Sequence, residues 1–190
     1  MDQKKTASPS LIKLGLILFA VAAVTSLILG LVNFVTKDRI AELAAEKTAT
    51  AYANVLVAST YEETDAYTDE SGTVTKLSYA KDEAGNVIGY VVEATFSGAQ
   101  GMVTQVTGID VNMACTGIYI TSSSETAGLG ALASETQEGA WRDNLVGATV
   151  DVALAKDGGT VEAISGATIT SRACTNAVKT AITAVMSIQG

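Results

Sequence analysis

Hydrophobic positions run unbroken by charge from Leu14 to Thr36, "LGLILFAVAAVTSLILGLVNFVT", a stretch of 23 residues. A helix built from this run has no polar face, which predicts a helix surrounded by lipid rather than one half-packed on a core. At 1.5 Å per residue it measures about 35 Å, enough to cross a hydrocarbon layer with some tilt. A cleaved signal peptide is the competing reading, because "AVAAV" offers small residues. The apolar run continues into "LILGLV", however, and outlasts a signal's core of roughly 7–15 residues. An uncleaved anchor is expected.

Beyond the anchor the pattern changes. "DRIAELAAEKTATAYANVLVAS" places Ile40, Leu43, Ala44, Val55 and Leu56 among strong helix formers, which predicts a helix continuing out of the anchor. "TYEETDAYTDESG" is acidic and polar and predicts a loop. "TVTKLSYA" and the alternating "VIGYVVEATFSG" flank the turn "KDEAGN" and predict a hairpin. "MVTQVTGIDV" and "TGIYITS", bridged by "NMAC", predict a second antiparallel pair.

Next come a glycine-bearing loop, "SETAGLGALAS", and a short helix or turn in "EGAWRDNLVGATV". "VEAISG" predicts a strand ending at glycine. Ala173, Ala177, Val178, Ala181, Ile182 and Val185 then recur at helical spacing and predict a terminal amphipathic helix. Helices at both ends and strands between them make the fold class α+β, with a mostly antiparallel sheet and flanking helices. The expected organisation is a short N-terminal segment (1–13), a transmembrane helix (14–36), a juxtamembrane helix and acidic loop (37–70), and one folded domain (71–190).

Charge adds a direction. Residues 1–39 carry five basic side chains (Lys4, Lys5, Lys13, Lys37, Arg39) against Asp2 and Asp38, while the remainder carries seven basic and eighteen acidic. The acidic body repels phosphate backbones, so nucleic acid is not an expected partner. Lys4, Lys5 and Lys13 precede the span, and Lys37 and Arg39 follow it beside Asp38. That balance favours a cytoplasmic N-terminus, with residues 40–190 outside the cell membrane in a single-pass topology. Ala22, Ser26 and Gly30 recur every four residues, which is either a face for close packing with another helix or the ordinary small-residue content of membrane helices.

Several chemistries are excluded. The chain has no histidine, so neither a Ser-His-Asp triad nor a thiol-histidine zinc site can form. No Walker A sequence is present. Cys115 and Cys174 stand 59 positions apart, compatible with a disulfide or with two separate buried thiols. "GLGALA" matches G-x-G-x-x-A with Asp151 about twenty residues on. A dinucleotide fold needs a strand directly before the glycines, though, and here "SSSETA" intervenes. These glycines instead suit a backbone that must approach something flat or bulky.

The remaining signal is "ISGATITSRACT", with Ser165, Thr168, Thr170 and Ser171 crowded around one Gly-Ala pair before the last helix. An ordinary strand-to-helix turn, with Thr168 or Thr170 as N-cap and the extra hydroxyls filling turn positions, explains them. A phosphate site at the helix N-terminus, where a hydroxyl could also serve as a point of attachment, explains all four. The residue chemistry leaves both open.

"SGATIT" resembles the flavinylation motif S-G-A-T-x-[ST] of the FMN-binding domain family of respiratory membrane complexes. The resemblance extends over most of the chain: the anchor, "RIAE", "GID", "ETAGLG", the downstream Trp141, "SGATITS" and the terminal helix. It is similar to the G subunits of Rnf-type electron-transport complexes, which pass electrons between ferredoxin and NAD while pumping ions. It is also similar to the C subunits of Na⁺-pumping NADH:quinone oxidoreductases. The resemblance implies FMN joined by a phosphoester to Thr170, with Ser165, Gly166, Ala167 and Thr168 completing a motif read by a flavin transferase.

It further implies that Glu125, Thr126, Gly128, Leu129 and Gly130 form the family loop H-x-E-T-P-G-L-G near the flavin. Ser123 and Ala127 replace the family His and Pro there. The implied partners are the other membrane and electron-transfer subunits of such a complex, and no turnover is expected of the chain alone. Two other readings remain: a free-standing anchored FMN domain in extracellular electron transfer, separable by co-purification, and a non-redox binding domain, separable by flavin absorption.

Overall fold

The computed structural model describes residues 11–67, 69 and 71–189. Lys4 and Lys5, on which the topological expectation partly rests, lie outside the described residues, as do Thr68 and Glu70 of the acidic segment. The chain divides into two compact units, 1–46 and 47–190.

Helix α1 spans Leu11–Val55, so the anchor and the segment after it form one helix, as their composition predicts. Through its first unit the large apolar side chains face outward on every side, Leu16, Phe19 and Leu27 among them. The hydroxyl of Thr25 donates to the carbonyls of Val21 and Ala22, and that of Thr36 to the Val32 carbonyl. These two hydroxyls are thus satisfied along the helix itself, and the helix is long and apolar enough to cross a membrane.

The second unit is an antiparallel meander of five strands in the order β1-β2-β3-β4-β5. These are β1 (Thr60–Glu63), β2 (Val74–Lys81), β3 (Val87–Ser97), β4 (Met102–Asp110) and β5 (Cys115–Ser122). Strands β2 to β5 fall where hydrophobic alternation places them. β1 corrects the expected polar loop. Its register, Thr60 opposite Lys81 and Glu63 opposite Ser78, is set by the backbone of β2. Its acidic side chains face solvent and pair with Lys81 and Lys76, as suits a charged edge strand.

Alternation gives the sheet two buried faces. On one, Leu77, Tyr90, Val92, Ile109 and Ile118 pack with Val178, Ile182 and Val185 of helix α2 (Thr168–Gln189). Three short 3-10 segments, Gly130–Ser134, Trp141–Leu145 and Ala155–Asp157, close the rim of this layer. On the other face Val91 and Val106 meet Ala51, Tyr52 and Val55, the last turns of α1 within the same unit. Gly108 makes that approach possible, since a Cβ there would stand 2.6 Å from the Val55 carbonyl oxygen. Thr116 donates its hydroxyl to the same carbonyl, satisfying a group that the helix end leaves open.

"VEAISG" is not a strand. Val161 makes a single parallel bridge with Leu154, and the segment then runs irregularly into α2. A short apolar run reads as a strand from its composition, but this one pairs with no strand of the sheet. The cysteines settle as two separate buried thiols. Burial pushes both up to about 12, with the charge of Glu125 adding to the effect at Cys174.

Candidate functional site

The turn into α2 divides its residues among different tasks. Gly166 lies at φ +75°, in the left-handed region open to glycine. A Cβ on it would stand 3.0 Å from Leu129 Cδ2, so the glycine also admits the loop packed above. The Ala167 N–H donates to the Ile164 carbonyl, and the Ala167 carbonyl accepts the Ser171 N–H, each at 3.0 Å. Ala167 therefore occupies the capping position, and Thr168, Ile169 and Thr170 form the first turn. The expected hydroxyl cap at Thr168 or Thr170 is not what closes this turn. Ser171 does so: its buried hydroxyl accepts the Ile164 N–H and donates to the Ala167 carbonyl, both at 3.0 Å.

Thr170 is thereby left for something else. Its Oγ1 donates to Glu125 Oε2 at 2.6 Å, across 45 residues of sequence. The other carboxylate oxygen of Glu125 accepts the Gln100 N–H at 3.0 Å, in the turn between β3 and β4. The Glu125 N–H itself donates to Ser123 Oγ at 3.2 Å, which gives a role to the residue that replaces the family histidine. Two glycines clear space for the carboxylate. A Cβ on Gly98 would stand 2.3 Å from Oε1, and one on Gly130 would stand 2.3 Å from Oε2 and 2.8 Å from Thr170 Oγ1. Burial pulls the Glu125 carboxyl upward, but hydrogen bonds from Thr170 and from the Gln100 and Ala99 N–H groups prevail and hold it below the ordinary range.

The structure brings Glu125, Leu129, Gly130, Gly166 and Thr170 into one cluster, joining two segments that the sequence analysis singled out separately. Ala167 is buried beneath it, Thr168 is half-buried on the same turn and Ser165 is exposed. Thr126 is exposed, and its carbonyl accepts from the Leu129 and Ala131 N–H groups at 3.1 and 3.2 Å. Gly128, at φ +74°, reverses the chain there.

Sequence reasoning missed the supports Gly98, Gln100 and Gln105, and it singled out Ser171 as a hydroxyl without assigning it the closing of the turn. The buried Gln105 amide donates to the Cys174 carbonyl at 3.3 Å and ties α2 to β4 one turn past Thr170. Trp141 stood out in the sequence only as a landmark; its indole N–H donates to the Glu162 carbonyl at 2.6 Å and holds the segment leading into the turn.

A helix cannot satisfy its first N–H groups internally, so those of Thr168, Ile169 and Thr170, at the positive end of the dipole, suit an anion. Beside them an open groove of about 320 Å³ runs between α2 and the end of β3, lined by Phe96, Ser97, Ile169, Arg172 and Asn176 among others. Asp157 holds the Arg172 guanidinium through two bonds of 2.6 and 2.8 Å. A hydroxyl, an anion-favouring helix end, glycines that let backbone approach and a half-apolar groove fit a ligand with a phosphate and a flat ring.

Residues 98–183 match the FMN-binding domain family, and residues 1–55 match the RnfG N-terminal region. The G subunit of an ion-translocating oxidoreductase complex from Methanosarcina acetivorans is 36% identical over 188 residues, covering 96% of this chain and 98% of the relative. The G subunit of the Na⁺-translocating ferredoxin:NAD⁺ oxidoreductase complex of Acetobacterium woodii is 35% identical over 188 residues, covering 90% and 89%. Its counterpart in the proton-translocating ferredoxin:NAD⁺ oxidoreductase complex of Clostridium ljungdahlii is 33% identical over 113 residues, covering 59% and 61%. The match to the FMN-binding domain takes in the Gly98, Glu125, Gly130 and Thr170 cluster.

Proposed function

The chain belongs to the family of G subunits of ion-translocating oxidoreductase complexes, and from that membership we propose that it carries FMN on Thr170 through a phosphoester and relays electrons within such a complex. It is a flavoprotein subunit of an ion-translocating oxidoreductase. The covalent link, its position and the accessory transferase are the proposed part. The observation that supports them is the Thr170 hydroxyl, drawn out of the capping role and turned under a glycine-rich loop.

In this reading the first turn of α2 faces the phosphate and the glycines of 128–130 let backbone approach. The groove of Phe96, Ile169 and Arg172 offers the ring a surface. FMN supplies the redox chemistry, while the chain supplies attachment, orientation and a local field. A phosphoester keeps the carrier from being lost to the exterior. Helix α1 anchors the domain with its N-terminus cytoplasmic and residues 40–190 outside, where partner subunits of the complex donate and accept electrons.

Intact mass tests the attachment. Expression of the full chain with a flavin transferase should add one FMN less water, and the denatured band should fluoresce. Thr170→Val keeps the shape without the hydroxyl and should remove the covalent flavin entirely. A Thr170→Val chain that still carries covalent flavin overturns the assignment.

A further inference from the structure

We propose that Arg172 sets the reduction potential of the flavin, its guanidinium favouring the negatively charged reduced ring, and that Asp157 holds and partly offsets that charge. This rests on the reading above, in which Thr170 carries FMN and the groove beside the first turn of α2 receives the ring. Reduction by two electrons and one proton leaves negative charge on the pyrimidine ring of a flavin, so a fixed positive charge beside that ring favours the reduced form. The electrons come from partner subunits in the complex, and from dithionite in the test below.

Ile169, Arg172 and Asn176 stand three and four residues apart, so one face of α2 lines the groove together with Phe96 and Ser97 of β3. Arg172 is the one charged residue in that lining, on a body that otherwise carries an excess of acidic side chains. Asp157, from the third 3-10 segment, is not part of the lining. Its carboxylate takes the Arg172 Nε and one Nη2 N–H at 2.6 and 2.8 Å. This clamp fixes the plane of the guanidinium and leaves Nη1 with no acceptor among the described residues. A rigid fork with a free edge suits the carbonyl and ring-nitrogen acceptors of a pyrimidine edge. The Asn176 amide, one turn on, can both donate and accept there.

The charges of the pair sum to zero, but the guanidinium lines the groove and the carboxylate does not, so the nearer charge prevails. The Arg172 hydrogen bonds hold the Asp157 carboxyl below its ordinary range, which keeps it ionised near neutral pH. The Arg172 and Asp157 side chains remain 42% and 36% exposed, so water screens both and the expected shift is modest.

The test uses the full chain in detergent, loaded by coexpression with a flavin transferase. Its midpoint potential is read from the flavin absorbance during titration with dithionite and mediator dyes at neutral pH. Arg172→Gln should favour the oxidised form about tenfold, a fall of about 30 mV for a two-electron couple. Asp157→Asn frees the guanidinium charge and should raise the potential by a smaller amount. A merely structural loss would move both variants the same way. An unchanged or raised potential in Arg172→Gln, or shifts of the same sign in the two variants, overturns the inference. If Arg172→Gln carries no flavin, Asp157→Asn decides alone, and a potential at or below that of the wild type overturns it. A wild-type chain without covalent flavin overturns the attachment reading, and this inference with it.

Discussion

Helices α1 and α2 are written in much the same alphabet of Ala, Val, Leu, Ile and Thr, yet they treat their apolar side chains in opposite ways. In α2, Val178, Ala181, Ile182 and Val185 are fully buried against the sheet, while Arg172, Asn176 and Lys179 keep its outer side polar. In the first unit of α1, Phe19 and Leu27 are each 73% exposed, and no stripe separates an inside from an outside. Hydrophobicity alone therefore does not say where a helix belongs; the angular distribution does. The contrast even falls within α1. Its last turns, Ala51, Tyr52 and Val55, return to a one-sided pattern and pack on the sheet of the second unit.

Thermal or urea unfolding of the second unit is the readout that can break this comparison. Ile182→Ala should cost about 2–5 kcal/mol, the range for removing a fully buried aliphatic side chain. Leu27→Ala, at an exposed apolar position, should leave that transition where it is. Equal effects from the two would erase the distinction drawn between the helices.

Ser171→Ala should rank next, at about 1–3 kcal/mol, because the Ile164 N–H loses its buried acceptor. Flavin should still attach, since Thr170 is untouched. Covalent flavin lost without any loss of stability would show Ser171 acting in the attachment rather than in closing the turn. Gly108→Ala should cost a similar or slightly smaller amount, about 1–3 kcal/mol, by pushing its Cβ against the Val55 carbonyl. A neutral result would mean that the last turn of α1 yields easily.

The smallest effect on domain stability, none, is expected of Gly30→Leu. If Ala22, Ser26 and Gly30 face a partner helix, that substitution should weaken co-purification with other membrane subunits and spare flavin attachment. Unchanged co-purification would leave those small residues as composition. Cysteines placed near residue 70 should react with an impermeant reagent in intact cells, and protection there would reverse the proposed orientation.

How much of this was legible in the chain differs element by element. The long apolar helix, β2 to β5 and α2 were, because each displays its pattern directly: no period in the apolar helix, two for a strand, three to four for a helix packed on one side. β1 was not, because the residues of "TYEE" point mainly to solvent and the element exists through backbone bonds to β2. "VEAISG" misled for the converse reason, being apolar yet making only the single bridge from Val161 to Leu154.

At the site, the motif resemblance pointed to Thr170 and to the glycine loop. It did not say that the two touch, or that Ser171 rather than a threonine closes the turn. Local pattern determines which segments become helix or strand and which side of each is apolar, because those properties follow from neighbours a few residues apart. Only the folded chain decides that Gly98 and Gly130 open a space, that Glu125 fills it, and that its carboxylate reaches a hydroxyl 45 residues away. Such a contact is fixed by the sum of many packing distances, and no short stretch of sequence contains that sum.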